Sequence, residues 1–139
     1  MATIYKEFFI NAEPAFVWEA LKDVGAVDTR LAKGFVTDCV LSGDERTVTF
    51  ANGFVARERI VSLSDELRRI AYALVGGTTS HHNASFQVLD APRGHSRVLW
   101  FTDLLPDDMR PTIAEMVEQG AEAIRETLEA AALASSERK

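Results

Sequence analysis

With 139 residues, 47% hydrophobic and 26% charged, the chain is long enough to bury about two-thirds of its surface and is expected to form a single domain over 1–139. The formal net charge of −6 argues against a nucleic acid or an anionic membrane as partner, and no window approaches the ~18 uncharged apolar residues of a spanning helix. The lone Cys39 excludes an internal disulfide and a cysteine-rich zinc site, and reads as a small strand residue, with a reactive thiol as the alternative.

Residues 2–10, ATIYKEFFI, read as a strand. The opening MATIYKEFFINAEP lacks the basic and continuous apolar regions of a secretion signal, so the expected location is the cytoplasm. Asn11 or Glu13 can cap a helix that has Pro14 in its first turn and Val17, Trp18 and Leu21 on one face. Gly25 stops it, and AVDTRLAK is a second short helix or a loop before Gly34. Six strand-like runs follow: FVTDCVL, RTVTFA, FVARERIVSL, RRIAYALV, HHNASFQVL and SRVLWFTDLL. The spacers between them, SGDE, NG, SDE, GGTTS and DAPRG, suit hairpins, which predicts antiparallel neighbours in sequence order. After Pro106, the spacing of Ile113, Met116, Val117, Gly120, Ile124, Leu128 and Ala131 predicts an amphipathic helix from about Pro111 to Ala134, ~36 Å long, with SSERK fraying.

This order predicts an α+β fold: two short helices after the first strand, then a seven-stranded antiparallel sheet wrapped around a long C-terminal helix. The segments AEPAFVWEAL, FVTDCVLSGDERTVTFANG, ARERIVSLSDELRRIAYALVGG and SRVLWFTDLLP, in that order, resemble the helix-grip fold of the START-type superfamily, whose members include the birch-pollen allergen, the polyketide cyclase/dehydrase-like proteins and the plant abscisic-acid receptors. The resemblance covers nearly the whole chain and implies a cavity for an apolar or amphipathic molecule between sheet and helix.

Strand parity selects the inward side chains. In 81–89, His82 shares its face with Ala84, Phe86 and Val88, while His81 shares the opposite face with Asn83, Ser85 and Gln87. Adjacent histidines on opposite faces do not suit one metal ion, and His95 sits in a turn, so no metal site is expected. Glu58 lies on the parity of Phe54, Ala56 and Ile60, opposite Arg57 and Arg59. The expected cavity is lined by Phe54, Ile60, Tyr72, Phe86, Val98, Trp100, Met116 and Ile124, with Glu58, His82, the Tyr72 hydroxyl and the Trp100 indole as its polar groups. Gly120 inside the last helix suggests close approach to the sheet or ligand. KGFVTDC is similar to the abscisic-acid receptor segment whose lysine meets the ligand carboxylate, which implies a cavity position for Lys33; surface placement is the alternative. Thr79, Ala84 and NGFVA depart from the receptors' latch, pocket tyrosine and gate, so hormone reception is not implied.

Two functions are expected from these residues, with a partner protein whose cavity is collapsed and whose surface is the long helix as a third alternative. The first is a carrier or sensor for a hydrophobic or aromatic small molecule, monomeric or homodimeric. The second is a polyketide cyclase or dehydratase with Glu58, His82 and Tyr72 as acid–base candidates. Each residue also has a purely structural reading: Arg46 is the natural partner of an inward Glu58, His82 a cap over the cavity mouth, and Trp100 core. No P-loop, dinucleotide fingerprint or nucleophile elbow is present, and no cofactor is expected.

Overall fold

The computed structural model describes residues 2–137. Seven antiparallel strands lie in one sheet: β1 (Ala2–Ile10), β2 (Val36–Ser42), β3 (Glu45–Phe50), β4 (Val55–Ser64), β5 (Arg69–Leu74), β6 (His81–Asp90) and β7 (Ser96–Leu105). Their order across the sheet is β1-β7-β6-β5-β4-β3-β2. The six hairpin strands are neighbours in sequence order as expected, and β1 closes the far side by pairing along its whole length with β7, from Ala2 against Leu104 to Ile10 against Ser96. Helix α1 (Pro14–Lys22) and a five-residue helical turn, Val27–Leu31, fill the connection from β1 to β2. Helix α2 (Arg110–Glu137) crosses the sheet, packing chiefly on β1 and the turn at 27–31.

Alternation holds on the inner face. Arg46 and Val48 on β3, Ala56 and Glu58 on β4, Ile70 and Tyr72 on β5, and Ala84, Phe86 and Val88 on β6 are buried, while Arg57 and Arg59 point outward. The register is irregular between Val36 and Asp38 and again at a bulge between Ile60 and Ser62, where Val61 and Leu63 face solvent. Leu99 and Phe101, which disturb the apolar alternation of β7, belong to the outer face, where the Phe101 ring lies 4.7 Å from that of Tyr5.

Three boundary expectations need correction. No side chain caps α1: Glu13 occupies the N-cap position without a capping bond, and the Asn11 backbone N–H instead donates to Glu129 of α2 at 2.8 Å. Helix α2 continues through Ser135, Ser136 and Glu137, because no glycine or proline follows Ala134 to end it; Arg138 and Lys139 lie outside the described residues. Ala131 is exposed, the buried stripe stopping at Leu128 and including Ala121.

Helix α1 is tied to the β4–β5 turn through Trp18, whose indole N–H donates to Asp65 at 2.9 Å, with Lys22 on the same carboxylate at 3.2 Å. These donors hold the Asp65 carboxyl below the usual carboxylate range. Cys39 is half-buried with its Sγ 3.7 Å from the Val24 carbonyl, and burial pushes its thiol pKa up, which disfavours the thiolate.

Candidate ligand cavity

Between the sheet and α2 lie two adjoining lobes of about 70 Å³ each. They share a wall made by Phe35, Phe50, Glu58, Tyr72 and Trp100. The outer lobe adds Phe54, Leu74, His82, Thr102 and Met116, and Thr78, which lines it while exposed to solvent, marks its mouth. The inner lobe runs under the helical turn at 27–31 and adds Arg46, Val48, Phe86, Gly120 and Ile124. Each lobe is about half of the ~150 Å³ apolar cavity that suffices for benzene, so one lobe suits a few heavy atoms and both are needed for a substituted ring.

The shared wall is aromatic for a local reason. Inward positions on β5, β6 and β7 place Tyr72, Phe86 and Trp100 side by side, with Phe86 stacked 4.4 Å from Trp100 and 6.3 Å from Tyr72. Phe35 and Phe50 meet edge-to-face at 5.3 Å on the opposite side. Gly120 allows the Trp100 ring to rest on the α2 backbone, since a Cβ there would lie 3.0 Å from the indole and 3.3 Å from Phe35.

Besides the threonines of the outer lobe, Arg46, Glu58, Tyr72, His82 and the Trp100 N–H interrupt this apolar lining. Arg46 Nε donates to Glu58 Oε1 at 2.8 Å, both side chains being buried; the same guanidinium donates to the Val24 carbonyl at 3.3 Å and lies 5.1 Å above the Tyr72 ring. Burial raises the Glu58 pKa above the usual carboxylate range, and Arg46 only partly opposes it. Burial and the Glu58 carboxylate hold the Tyr72 phenol firmly protonated, against the weaker pull of Arg46 and of the nearby Trp100 N–H, which faces the phenol without closing a hydrogen bond to it. His82 is shifted down to about 4 by burial and by His81, and is therefore neutral at pH 7. Two buried polar atoms have no hydrogen-bond partner among the described residues: Trp100 Nε1 and His82 Nδ1. A buried unpaired group costs about 1–3 kcal/mol, so both atoms are places where an incoming polar atom gains most.

Of the residues expected to line the cavity, Phe54, Glu58, Tyr72, His82, Phe86, Trp100, Met116, Gly120 and Ile124 do so. Three do not. Lys33 is exposed; it precedes Gly34, whose φ of +87° turns the chain so that Phe35 enters the cavity instead. Val98 is fully buried between its cross-strand neighbours Phe8 and Val88, as core below the lobes. Ile60 is half-buried core at the bulge, off both lobes. Phe35, Phe50, Ala56, Leu74, Thr78, Thr79, Thr102, Ile113 and Val117 were not foreseen in the outer lobe. Phe50 carries the parity of Arg46 and Val48, which is a legible signal; Phe35 sits in a turn just before β2, where parity has no meaning. His81 is exposed and shares a 2.6 Å hydrogen bond with Asn83, on the face opposite His82. No group of three metal-ligating side chains is gathered among the described residues.

A broader depression of about 480 Å³ lies on the other face of the sheet, bounded by Val61, Arg69, Gln87, Phe101 and Asp103, and contains no orphaned buried polar group.

A sheet curled around one long helix, with an apolar double cavity between them, sets the architecture against which known proteins compare. Residues 1–132 match the family model described as polyketide cyclase / dehydrase and lipid transport. The chain belongs to this family. Among solved structures it is similar to an uncharacterised protein from Bacillus thuringiensis, with TM-score 0.81 at 16% identity over 91% of this chain and 98% of that one. It is also similar to the protein XoxI from Bacillus cereus, with TM-score 0.80 at 19% identity over 96% of each. A norcoclaurine synthase point mutant from Thalictrum flavum, solved with a transition-state analogue, superposes with TM-score 0.70 at 15% identity over 91% of this chain and 93% of that one. These superpositions establish a shared helix-grip fold. Among curated proteins none matches the chain. Within the described residues no helix is long and apolar enough to cross a membrane.

Proposed function

We propose that this chain binds a hydrophobic or aromatic small molecule in the double-lobed cavity, acting as a carrier or sensor. The observation that carries this reading is the cavity wall itself: aromatic and aliphatic, with two buried polar atoms, Trp100 Nε1 and His82 Nδ1, left without partners. The family's description, which includes lipid transport, agrees with it. A cytoplasmic protein, monomeric or homodimeric, belongs to the same reading. Native mass spectrometry of freshly purified protein tests it: a small molecule that co-purifies with wild type, and is lost when the outer lobe is filled by A56W, supports binding. Retention of that molecule by A56W would sink this choice of site.

A second reading, a polyketide cyclase or dehydratase, is favoured by one feature. The Glu58 carboxyl has a raised pKa and lies on the cavity wall beside Tyr72, where a general base is useful. Against it, Glu58 is already engaged by Arg46, and a histidine with a pKa of about 4 is a weak base. Turnover of a polyketide-like β-hydroxy ketone that falls at least ~100-fold in E58Q, with binding retained, would decide for the enzyme.

A further inference from the structure

The charges around the cavity define its ligand more narrowly. Among the described lining residues, the guanidinium of Arg46 is the one fixed cation, and it is already bonded to the Glu58 carboxyl at 2.8 Å. Arg46 is further committed to the Val24 carbonyl and to the face of Tyr72. Lys33, the cation expected to greet a carboxylate, is exposed outside both lobes, and Arg57 and Arg59 point away from the cavity. An anionic head entering either lobe therefore loses its water and meets the acidic Glu58 side chain, with the one lining cation among the described residues, Arg46, already engaged.

The vacant hydrogen-bonding capacity has the opposite character. Trp100 Nε1 is a donor without an acceptor, and Glu58 bonds to Arg46 through Oε1 alone. Both residues line both lobes, so both border the junction. A hydroxyl placed there accepts from the indole and donates to the carboxylate, which a carboxylate ligand cannot do.

We propose that the cavity takes an uncharged ring molecule bearing a hydroxyl, such as a phenol, and rejects ring carboxylates and fatty-acid anions. This rests on the reading of the cavity as a ligand site, and the test separates the two. Three probes of similar shape are titrated at pH 7.5 into ¹⁵N-labelled protein: p-cresol, toluene and 4-methylbenzoate. The Trp100 indole N–H signal is assigned by its loss in W100F. The expected result is p-cresol binding at least threefold tighter than toluene and at least tenfold tighter than 4-methylbenzoate, with the Trp100 indole signal moving downfield for p-cresol alone. In E58Q, which frees Arg46 from its carboxylate, 4-methylbenzoate should gain at least tenfold.

If 4-methylbenzoate binds wild type as tightly as p-cresol, or gains nothing in a folded E58Q, the selectivity proposal is overturned while the cavity remains a ligand site. If toluene binds and p-cresol does no better, the hydroxyl assignment falls on the same terms. If none of the three binds, the ligand-site reading itself falls. The wild-type comparison decides even where E58Q does not fold.

Discussion

Arg46 and Glu58 stand directly opposite each other on β3 and β4, joined at 2.8 Å and shielded from water, in a sheet whose other inward side chains are mostly apolar. Such a pair is expensive to break and cheap to replace. E58L or R46M alone should lose about 3–5 kcal/mol by stranding the remaining charge, whereas R46M/E58L should fall within about 1 kcal/mol of wild type. Urea denaturation of the four proteins gives the cycle. Losses that simply add in the double variant would show that the pair is not coupled.

Glu58 and His82 give opposite pH dependences. The His82 pKa falls from 6.5 to about 4 on folding, so the unfolded chain binds the extra proton; stability is complete above about 6.5 and declines as pH falls toward 4, by up to about 3 kcal/mol. The Glu58 pKa is raised, so the folded chain binds the proton, and its contribution is lost as pH rises from the ordinary carboxylate range through the folded value. Wild-type stability should therefore look flatter between pH 4 and 6.5 than either group alone would make it. Melts across this range should show H82Q gaining relative to wild type as pH falls, and E58Q losing. Parallel profiles for all three proteins would remove both assignments.

Gly120 separates two competing effects. Alanine in a helix interior gains about 1 kcal/mol over glycine, but its Cβ would press on Trp100 at 3.0 Å, and that ring is stacked on Phe86 at 4.4 Å on another side. Overpacking of this kind costs about 1–3 kcal/mol, so G120A should be neutral to destabilised by up to about 2 kcal/mol and should shift the Trp100 fluorescence. A clear stabilisation with unchanged fluorescence would mean that the indole moves aside freely.

The two faces of β6 offer a direct contrast. His81 is exposed, and H81A should change stability by less than about 0.5 kcal/mol; Ala84 is 2% exposed, and A84D should lose several kcal/mol or fail to fold. Chemical denaturation of the pair reads the register of the strand, and similar losses would contradict it.

What could be read in the sequence was set by period. The alternation in 54–60 and 82–88 placed Glu58 and His82 on the inner face because a strand has only two faces and one is buried. Parity does not say how far along a strand the cavity extends, which depends on where α2 crosses; hence Val98 and Ile60 face inward as core and line neither lobe. Lys33 failed for a different reason. Its expected position came from a likeness in KGFVTDC, whereas the backbone there is governed by the left-handed turn at Gly34, which presents Phe35. Thr78 and Thr79 belong to a loop with no period at all, and only the folded chain brings them to the mouth.

The pairing of β1 with β7 also orders events during synthesis. Ala2 through Ile10 leave the ribosome before the other strands of the sheet, and their partners, Ser96 through Leu104, come roughly a hundred residues later, a delay of about 5–20 s at ordinary elongation rates. Meanwhile the hairpins from β2 to β6 can form in turn, each from strands adjacent in the chain. The nascent segment carrying Phe8, Phe9 and Ile10 waits unpaired throughout this interval, making the amino-terminal strand the stretch most exposed to chaperones and to aggregation before the sheet closes.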